Sequence, residues 1–181
     1  MNFELTSTAF EEGQHIPVDY TGDGRNGSPA LKWSDPPAGT CSLALVCEDP
    51  DAPHGTWCHW IVANIPAESR ELTETFPRQA ILANGTVQGT NDFGKVGYDG
   101  PAPPPGQRHR YFFRLYALNR MLELGAEADR EVLIRAVKGH VRGEAHLMGT
   151  YGRADVHQIS DDPIEKKIQQ DRASIYTAPL S

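Results

Sequence analysis

Runs of apolar residues along the chain predict a mainly β protein. Residues 42–48 form a continuous apolar run that ends in an acidic residue, and residues 57–65 are rich in aromatic and β-branched side chains and are followed by Pro66. Both patterns are typical of buried strands. Residues 109–118 carry large apolar side chains at both alternating sets of positions, which predicts another core strand of a sandwich. Shorter strand patterns cover residues 3–5, 16–20, 31–33 and 149–153.

Helical signals are confined to the second half of the chain. Asp129 is a typical N-cap residue for a helix over residues 130–138, which Gly139 would end. Asp-Pro-Ile-Glu at 162–165 predicts a short C-terminal helix, and its isoleucines recur at helical spacing. We therefore expect one domain over residues 1–155, followed by a tail over 156–181 whose helix docks on the domain or on the second subunit of a homodimer.

Two loop segments separate the predicted core strands. Residues 66–100 combine a polar, acidic stretch with a Gly-rich passage, which indicates a functional loop or a missed element. Residues 101–105 read Pro-Ala-Pro-Pro-Pro between Gly100 and Gly106. Such a stretch alone could be a rigid linker or a polyproline ligand. Because it leads directly into a core strand, we interpret it as a stiff loop that shapes the wall of a pocket.

Charge and composition exclude several classes of protein. The chain has 24 acidic and 17 basic residues and no run of Lys or Arg, so we expect no nucleic-acid partner. No stretch approaches the length of a transmembrane helix, and the first residues lack the pattern of a secretory signal, so we expect a cytoplasmic protein. The three cysteines are odd in number and match no metal motif, which predicts reduced thiols in the core.

A set of polar side chains marks the predicted junctions of loops and strands. Asp49 and Asp51 follow one core strand, His59 begins the next, and His109 and Tyr111 follow the proline-rich loop. Each has an ordinary structural explanation, since Asp is common in turns and His in strands. The motifs of serine hydrolases, zinc proteases, phosphate loops and dinucleotide folds are missing from the sequence. The set could ligate a divalent metal, although its members are more widely spaced than in most metal motifs.

The order of these motifs resembles the phosphatidylethanolamine-binding protein family, also called Raf kinase inhibitor-like proteins. The matching stretches are Asp-Pro-Asp-Ala-Pro at 49–53, Trp-x-His-Trp at 57–60, Gly-Pro-x-Pro-Pro-x-Gly at 100–106 and His-Arg-Tyr at 109–111. The resemblance covers about residues 3–153. Further stretches at 28–29, 33, 37–40, 94–98 and 149–153 are similar to the bacterial and archaeal branch of the family.

The resemblance implies a β-sandwich with a mainly antiparallel central sheet. It also implies a small cavity at one end of that sheet for phosphate-like anions, including phospholipid head groups. Carried over to this sequence, the ligand-binding residues are Asp49, Asp51, His59, Pro104, His109 and Tyr111. Two positions depart from the pattern of many relatives: Ala102 stands where many eukaryotic members have Gly, and Cys58 stands where some have a second His.

We expect a non-enzymatic protein that binds phosphate, phosphoethanolamine or a lipid head group and needs no cofactor. In this hypothesis His59, His109 and Tyr111 donate hydrogen bonds to the anion. The two aspartates then orient the imidazoles, raise their pKa values or accept an ammonium group. Two alternatives stay open. One is a hydrolase that uses a metal or a His–Asp pair in the same pocket. The other is an interaction module with a vestigial pocket, which binds a protein such as a kinase.

Overall fold

The computed structural model describes residues 3–153, and within them the chain forms two antiparallel sheets and one α-helix. One sheet has three short strands, β1 (Leu5–Ser7), β2 (Leu31–Trp33) and β5 (Glu71–Leu72), in the order β1-β2-β5. The other contains β3 (Ser42–Asp49), β4 (Trp57–Pro66), β6 (Val87–Gln88), β7 (Arg108–Leu118) and β8 (Val141–Gly152). Its order is β6-β4-β3-β7-β8, so β3 is central. The predicted mainly β class is confirmed.

The central strand β3 is buried along its whole length because both faces of its sheet are covered. On one face Leu43, Leu45 and Cys47 pack in the core between the two sheets. On the other face Ala44 and Val46 pack beneath the helix α1 (Arg130–Val137). Coverage on both faces explains why the sequence of β3 is a continuous apolar run rather than an alternating one.

Helix α1 begins where the sequence predicts. The Asp129 side chain accepts a hydrogen bond of 2.9 Å from the backbone N–H of Val132, which satisfies one of the unpaired donors of the first turn. The helix ends at Val137, and Gly139 has φ +82°, a left-handed conformation that favours glycine. The buried residues Leu133 and Val137 dock the helix on the sheet.

The strand predicted over residues 16–20 is wrong. Val18–Tyr20 instead forms one turn of 3-10 helix, while Ile16 is fully buried in the core between the sheets. Pro17 explains the difference, because proline cannot donate a hydrogen bond to a strand neighbour and its φ is fixed near the helical value. The apolar residues of this segment were a sign of burial and not of a strand.

Two further expectations need correction. The strand predicted at 149–153 is the last part of β8, whose first half escaped prediction because many of its residues are exposed on this edge strand. Cys41 is exposed just before β3, whereas Cys47 and Cys58 are buried thiols as predicted. Apart from the two-residue strands β5 and β6, the loop over residues 66–100 contains only turns, bends and isolated bridges.

The predicted C-terminal helix from Asp162 and the tail over residues 156–181 lie outside the described residues. Within residues 3–153, no helix has both the length and the apolar character that crossing a membrane requires.

Candidate functional site

A cavity of about 250 Å³ lies at the end of the five-stranded sheet where β3 ends and β4 and β7 begin. The alternation that buries Cys47 and Phe113 between the sheets continues to the polar residues Asp49 and His109. Polar side chains thus follow the last apolar layer of the core. The cavity is lined by Asp49, Ala52, Pro53, His54, Trp57, His59, Phe93, Ala102, Pro103, Pro104 and His109.

His59 faces the cavity because of a β-bulge in β4. Cys47 pairs with Trp60 and Glu48 pairs with Cys58, so His59 is the extra residue between two ladder pairs. A bulge of this kind redirects a side chain. The backbone N–H of Asp99 donates to the carbonyl of His59 at 3.0 Å, and the His59 Nδ1 lies 2.6 Å from the carbonyl oxygen of Asp99. Because a carbonyl only accepts, Nδ1 carries a proton and Nε2 is the nitrogen left for a ligand.

The surroundings of His59 favour its neutral form. Burial lowers the pKa of His59, and the backbone bond to Asp99 and the charge of Asp49 offset this only in part. The ring packs edge-on against Phe93 and Tyr111, with 5.3 Å between ring centres in both cases. The neutral ring has its lone pair on Nε2. The nearby aspartates do act to raise the pKa of this histidine, as expected, but burial outweighs them and the net shift is downward.

Asp49 and His109 form a buried pair, only 4% and 3% exposed. The Oδ2 atom of Asp49 lies 2.7 Å from Nδ1 of His109, and its Oδ1 accepts from the backbone N–H of Asp51 at 2.9 Å. The other ring nitrogen, Nε2, lies 3.1 Å from Oε1 of Gln107. Both nitrogens of His109 therefore have polar partners, and the carboxylate of Asp49 fixes the orientation of the ring. Gln107 is exposed, so a ligand can take its place.

Two of the six predicted site residues do not line the cavity. Both carboxylate oxygens of Asp51 bind the Arg110 guanidinium, at 2.9 and 2.8 Å, and these bonds lower the pKa of Asp51 to about 2. Asp51 therefore ties the loop after β3 to β7 instead of orienting a histidine. Tyr111 is fully buried behind His59, and its hydroxyl lies near the Asp49 carboxylate without making a hydrogen bond of good geometry to any described residue. Burial, reinforced by the Asp49 carboxylate, raises the pKa of this phenol.

Asp99 is a site residue that sequence analysis missed. Its backbone holds His59, and its buried carboxylate accepts hydrogen bonds of 2.9 Å from the side-chain amides of Asn26 and Asn91. The Arg78 guanidinium lies 3.4 Å from the same carboxylate. Burial opposes ionisation, but these donors outweigh it and keep the pKa of Asp99 below its usual value. The only sequence signal was the Gly- and Asn-rich character of the loop, which marked the segment without identifying the residue.

The proline-rich loop forms one wall of the cavity, as the sequence predicted. Residues 102–104 line it. Gly100 allows the loop to pack closely against the backbone of Tyr20, since a Cβ at this position would lie 2.2 Å from the Tyr20 carbonyl oxygen. Gly106 has φ +78° and closes the turn before β7. The amide oxygen of Asn26 accepts from the Gly100 N–H at 2.7 Å, so the residue that binds Asp99 also fixes this wall.

Apart from Asp49 and the histidines, the cavity wall is mostly apolar. Among the described residues that line it there is no Lys, Arg, Ser, Thr or Cys. The indole Nε1 of Trp57 is buried and has no acceptor in the described part of the chain. Within residues 3–153, no group of three or more His, Cys, Asp or Glu side chains is placed to hold a metal ion. The cavity thus offers the imidazoles of His54, His59 and His109 and one carboxylate.

Comparison with known proteins identifies the family of the chain. The sequence matches the family described as phosphatidylethanolamine-binding protein over residues 6–152. The chain belongs to this family. A UPF0098 protein of Methanothermobacter thermautotrophicus is 50% identical to this family member over 149 residues, which cover 82% of this chain and 98% of the relative. The UPF0098 protein YbhB of Escherichia coli is 50% identical over 125 residues, which cover 64% of this chain and 78% of the relative.

Solved structures confirm the fold of this phosphatidylethanolamine-binding family protein. Escherichia coli YbcL, described as a member of the mammalian PEBP family, superposes with a TM-score of 0.79 at 33% sequence identity. The superposition covers 84% of this chain and 99% of the YbcL chain. A PEBP homologue from Chlamydia trachomatis gives a TM-score of 0.76 at 39% sequence identity. The superposition covers 84% of this chain and 98% of the homologue's chain. The bacterial and archaeal branch predicted from the sequence is confirmed.

Proposed function

We propose that this family member binds a small phosphoryl ligand, such as phosphoethanolamine or the head group of a phospholipid, between His59 and His109. The observation that carries the proposal is the buried Asp49–His109 pair, which lines the same cavity as the neutral ring of His59. Family membership supports a binding protein of this kind.

The donors of the cavity suit a phosphoryl group of low net charge. Nε2 of His109 becomes available to a ligand that displaces Gln107, and the exposed His54 also lines the cavity. The Asp49 carboxylate lies in the same cavity, so the Asp49–His109 pair adds little net attraction for a highly charged anion. A zwitterion such as phosphoethanolamine fits these charges. The volume of about 250 Å³ is also below the usual range for drug-sized ligands, in keeping with a head group.

A hydrolase is the second candidate because the 2.7 Å contact between Asp49 and His109 has the geometry of a general base and its orienting carboxylate. With no Ser, Thr or Cys among the described lining residues, such an enzyme would have to activate water. Release of inorganic phosphate from phosphoethanolamine would identify this activity, and the binding hypothesis predicts none.

Calorimetric titration with phosphoethanolamine tests the proposal. We expect one ligand per chain and a loss of affinity of about tenfold or more in the double variant His59→Ala, His109→Ala, since a hydrogen bond to a charged group contributes about 1.5–3 kcal/mol. His146→Ala is the matched control, because His146 is exposed on β8 and outside the cavity. Unchanged affinity in the double variant would refute the proposal. Sedimentation with phosphatidylethanolamine vesicles distinguishes a lipid ligand from a soluble one.

A further inference from the structure

We propose that Asn26 is a positioning residue of the cavity, which fixes the orientation of the His59 ring by holding the peptide unit between Asp99 and Gly100. Asn26 does not line the cavity, so it acts on a ligand only through its neighbours. The orientation of His59 is measured without a ligand, and only the consequence for affinity rests on the proposed function.

The peptide unit between Asp99 and Gly100 connects Asn26 to His59. Its carbonyl accepts a hydrogen bond from Nδ1 of His59 at 2.6 Å, and its N–H donates to Oδ1 of Asn26 at 2.7 Å. The unit is trans, and in a planar trans unit the C=O and N–H groups point in opposite directions. His59 therefore binds one edge of this unit while Asn26 holds the other.

A second hydrogen bond strengthens this support. Nδ2 of Asn26 donates to Oδ1 of Asp99 at 2.9 Å. One side-chain amide thus binds both the carboxylate of Asp99 and the N–H of the next residue, and the two bonds together oppose rotation of the peptide unit. The restraint matters here because Gly100 lacks a Cβ, and a glycine allows the backbone more orientations than any other residue.

The orientation of this peptide unit decides how His59 is held. A carbonyl only accepts, so it selects the neutral ring that carries its proton on Nδ1. Among the described residues this is the only hydrogen bond of the ring, although Phe93 and Tyr111 pack edge-on against it. If the peptide unit rotated, the ring would lose both its polar anchor and its preference for one position of the proton.

The backbone conformation at residue 26 favours asparagine. Asn26 has φ +59°, in the left-handed region that Asn and Gly adopt more readily than most residues. Glycine would fit this conformation but has no side chain to bind the peptide unit, and aspartate has no N–H to donate to Asp99. Asparagine combines the conformation with both a donor and an acceptor.

A simpler explanation is that Asn26 only stabilises the loop in which it lies, and Asn64 provides a matched comparison. Asn64 also has a left-handed backbone, with φ +56°, and its side chain donates to the carbonyl of Leu122 at 2.9 Å and accepts from the N–H of Leu122 at 2.8 Å. It lies further along β4 than His59 and outside the cavity lining. Asn26→Gly and Asn64→Gly therefore remove equivalent pairs of bonds, but only the first releases the peptide unit that holds His59.

Nitrogen NMR of the histidine rings in the full chain tests the orientation directly, at about pH 8, where the ring of His59 is neutral. In the wild type and in Asn64→Gly we expect one neutral form of His59, protonated at Nδ1. In Asn26→Gly the ratio of the Nδ1-protonated to the Nε2-protonated form should fall about fivefold, the effect of losing one hydrogen bond. An unchanged ratio in Asn26→Gly, or the same fall in Asn64→Gly, would overturn the inference.

Hydrogen exchange of the Gly100 amide in the wild type is a measurement that needs no variant. Because Asn26 accepts from this N–H, we expect it to exchange as slowly as the amides that pair β3 with β7. Rapid exchange would overturn the inference even if Asn26→Gly fails to fold.

Calorimetry with phosphoethanolamine then measures the consequence for binding. We expect Asn26→Gly to bind about fivefold more weakly than Asn64→Gly, because the ligand must immobilise a His59 ring that is no longer held. Equal affinity in the two variants would overturn the positioning role, whatever the NMR ratio. If the wild type itself binds no phosphoethanolamine, the proposed function fails, and the NMR ratio still decides whether Asn26 orients His59.

Discussion

Asp49 and Asp51 show how two similar residues acquire different roles. Both belong to the Asp-Pro-Asp-Ala-Pro stretch, yet Asp49 pairs with His109 in the cavity while Asp51 binds Arg110 outside its lining. The direction of each side chain decides the partner. Asp49 continues the core face of β3, whereas Asp51 lies in the loop beyond the strand and faces the side chain of Arg110.

This difference predicts different effects of two matched substitutions. Asp49→Asn should lower the affinity for phosphoethanolamine about tenfold or more, because an amide replaces the carboxylate that holds Nδ1 of His109 at 2.7 Å. Asp51→Asn should change it less than about threefold, since it removes only a partly exposed ion pair. Calorimetry on both variants, each first shown by circular dichroism to be folded, measures the two effects. An equal loss in both variants would contradict these assignments.

Prediction from sequence succeeded where a residue's position follows from a regular strand. The place of His109 on the core face of β7 follows from alternation. The direction of His59 does not, because it depends on a bulge that has no marker in the sequence. Asp99 was missed for a similar reason, since its contacts with Asn26 and Asn91 depend on loop folding. Tyr111 shares the face of His109 but lies one layer deeper, where it is fully buried.

At the scale of elements, the cavity depends on how β3 and β7 are held in register. Helix α1 contributes to this, because it packs on one face of β3 and Arg130 at its first residue binds the buried Glu48 at 2.6 Å. Glu48 also lies 3.5 Å from Arg114 on β7. This network joins the helix to both strands one residue before Asp49.

The N-cap of α1 gives a prediction about stability. Asp129→Ala should lower the free energy of unfolding by about 1 kcal/mol, because it removes the side-chain acceptor of the Val132 N–H. Asp129→Asn is the control and should retain most of the stability, since Asn is an equally good cap. Urea unfolding followed by circular dichroism measures both variants. A similar loss in both would show that the charge of Asp129, and not its capping bond, stabilises the helix.

Elements with a strong local signal in the sequence were the easiest to predict. The continuous apolar run of β3 and the capped helix α1 were placed correctly. The first half of β8 was not predicted because this edge strand has many exposed residues there. The segment around Pro17 was predicted as a strand because its apolar residues are buried although the segment is not a strand. Neither β5 nor β6 is long enough to show a period, with two residues each.

At the scale of the whole molecule, the sandwich leaves a site where the polar ends of its central strands meet two loops. The full chain has a net charge of −7, and no Lys or Arg is among the described residues that line the cavity. Both features disfavour a highly charged anion. The family motifs in the sequence located this end of the sheet because they lie at strand junctions. The lowered pKa of His59 was not predictable, since it depends on burial and on its contact with the Asp99 carbonyl.

A crystal structure of the full chain grown with phosphoethanolamine near pH 6 would test the central claim most directly. The account predicts a phosphoryl group in the cavity, with one oxygen within hydrogen-bond distance of Nε2 of His59 and another within that distance of Nε2 of His109, and with Gln107 displaced. A cavity that stays free of ligand at saturating concentration, or a phosphoryl group bound elsewhere on the chain, would contradict it.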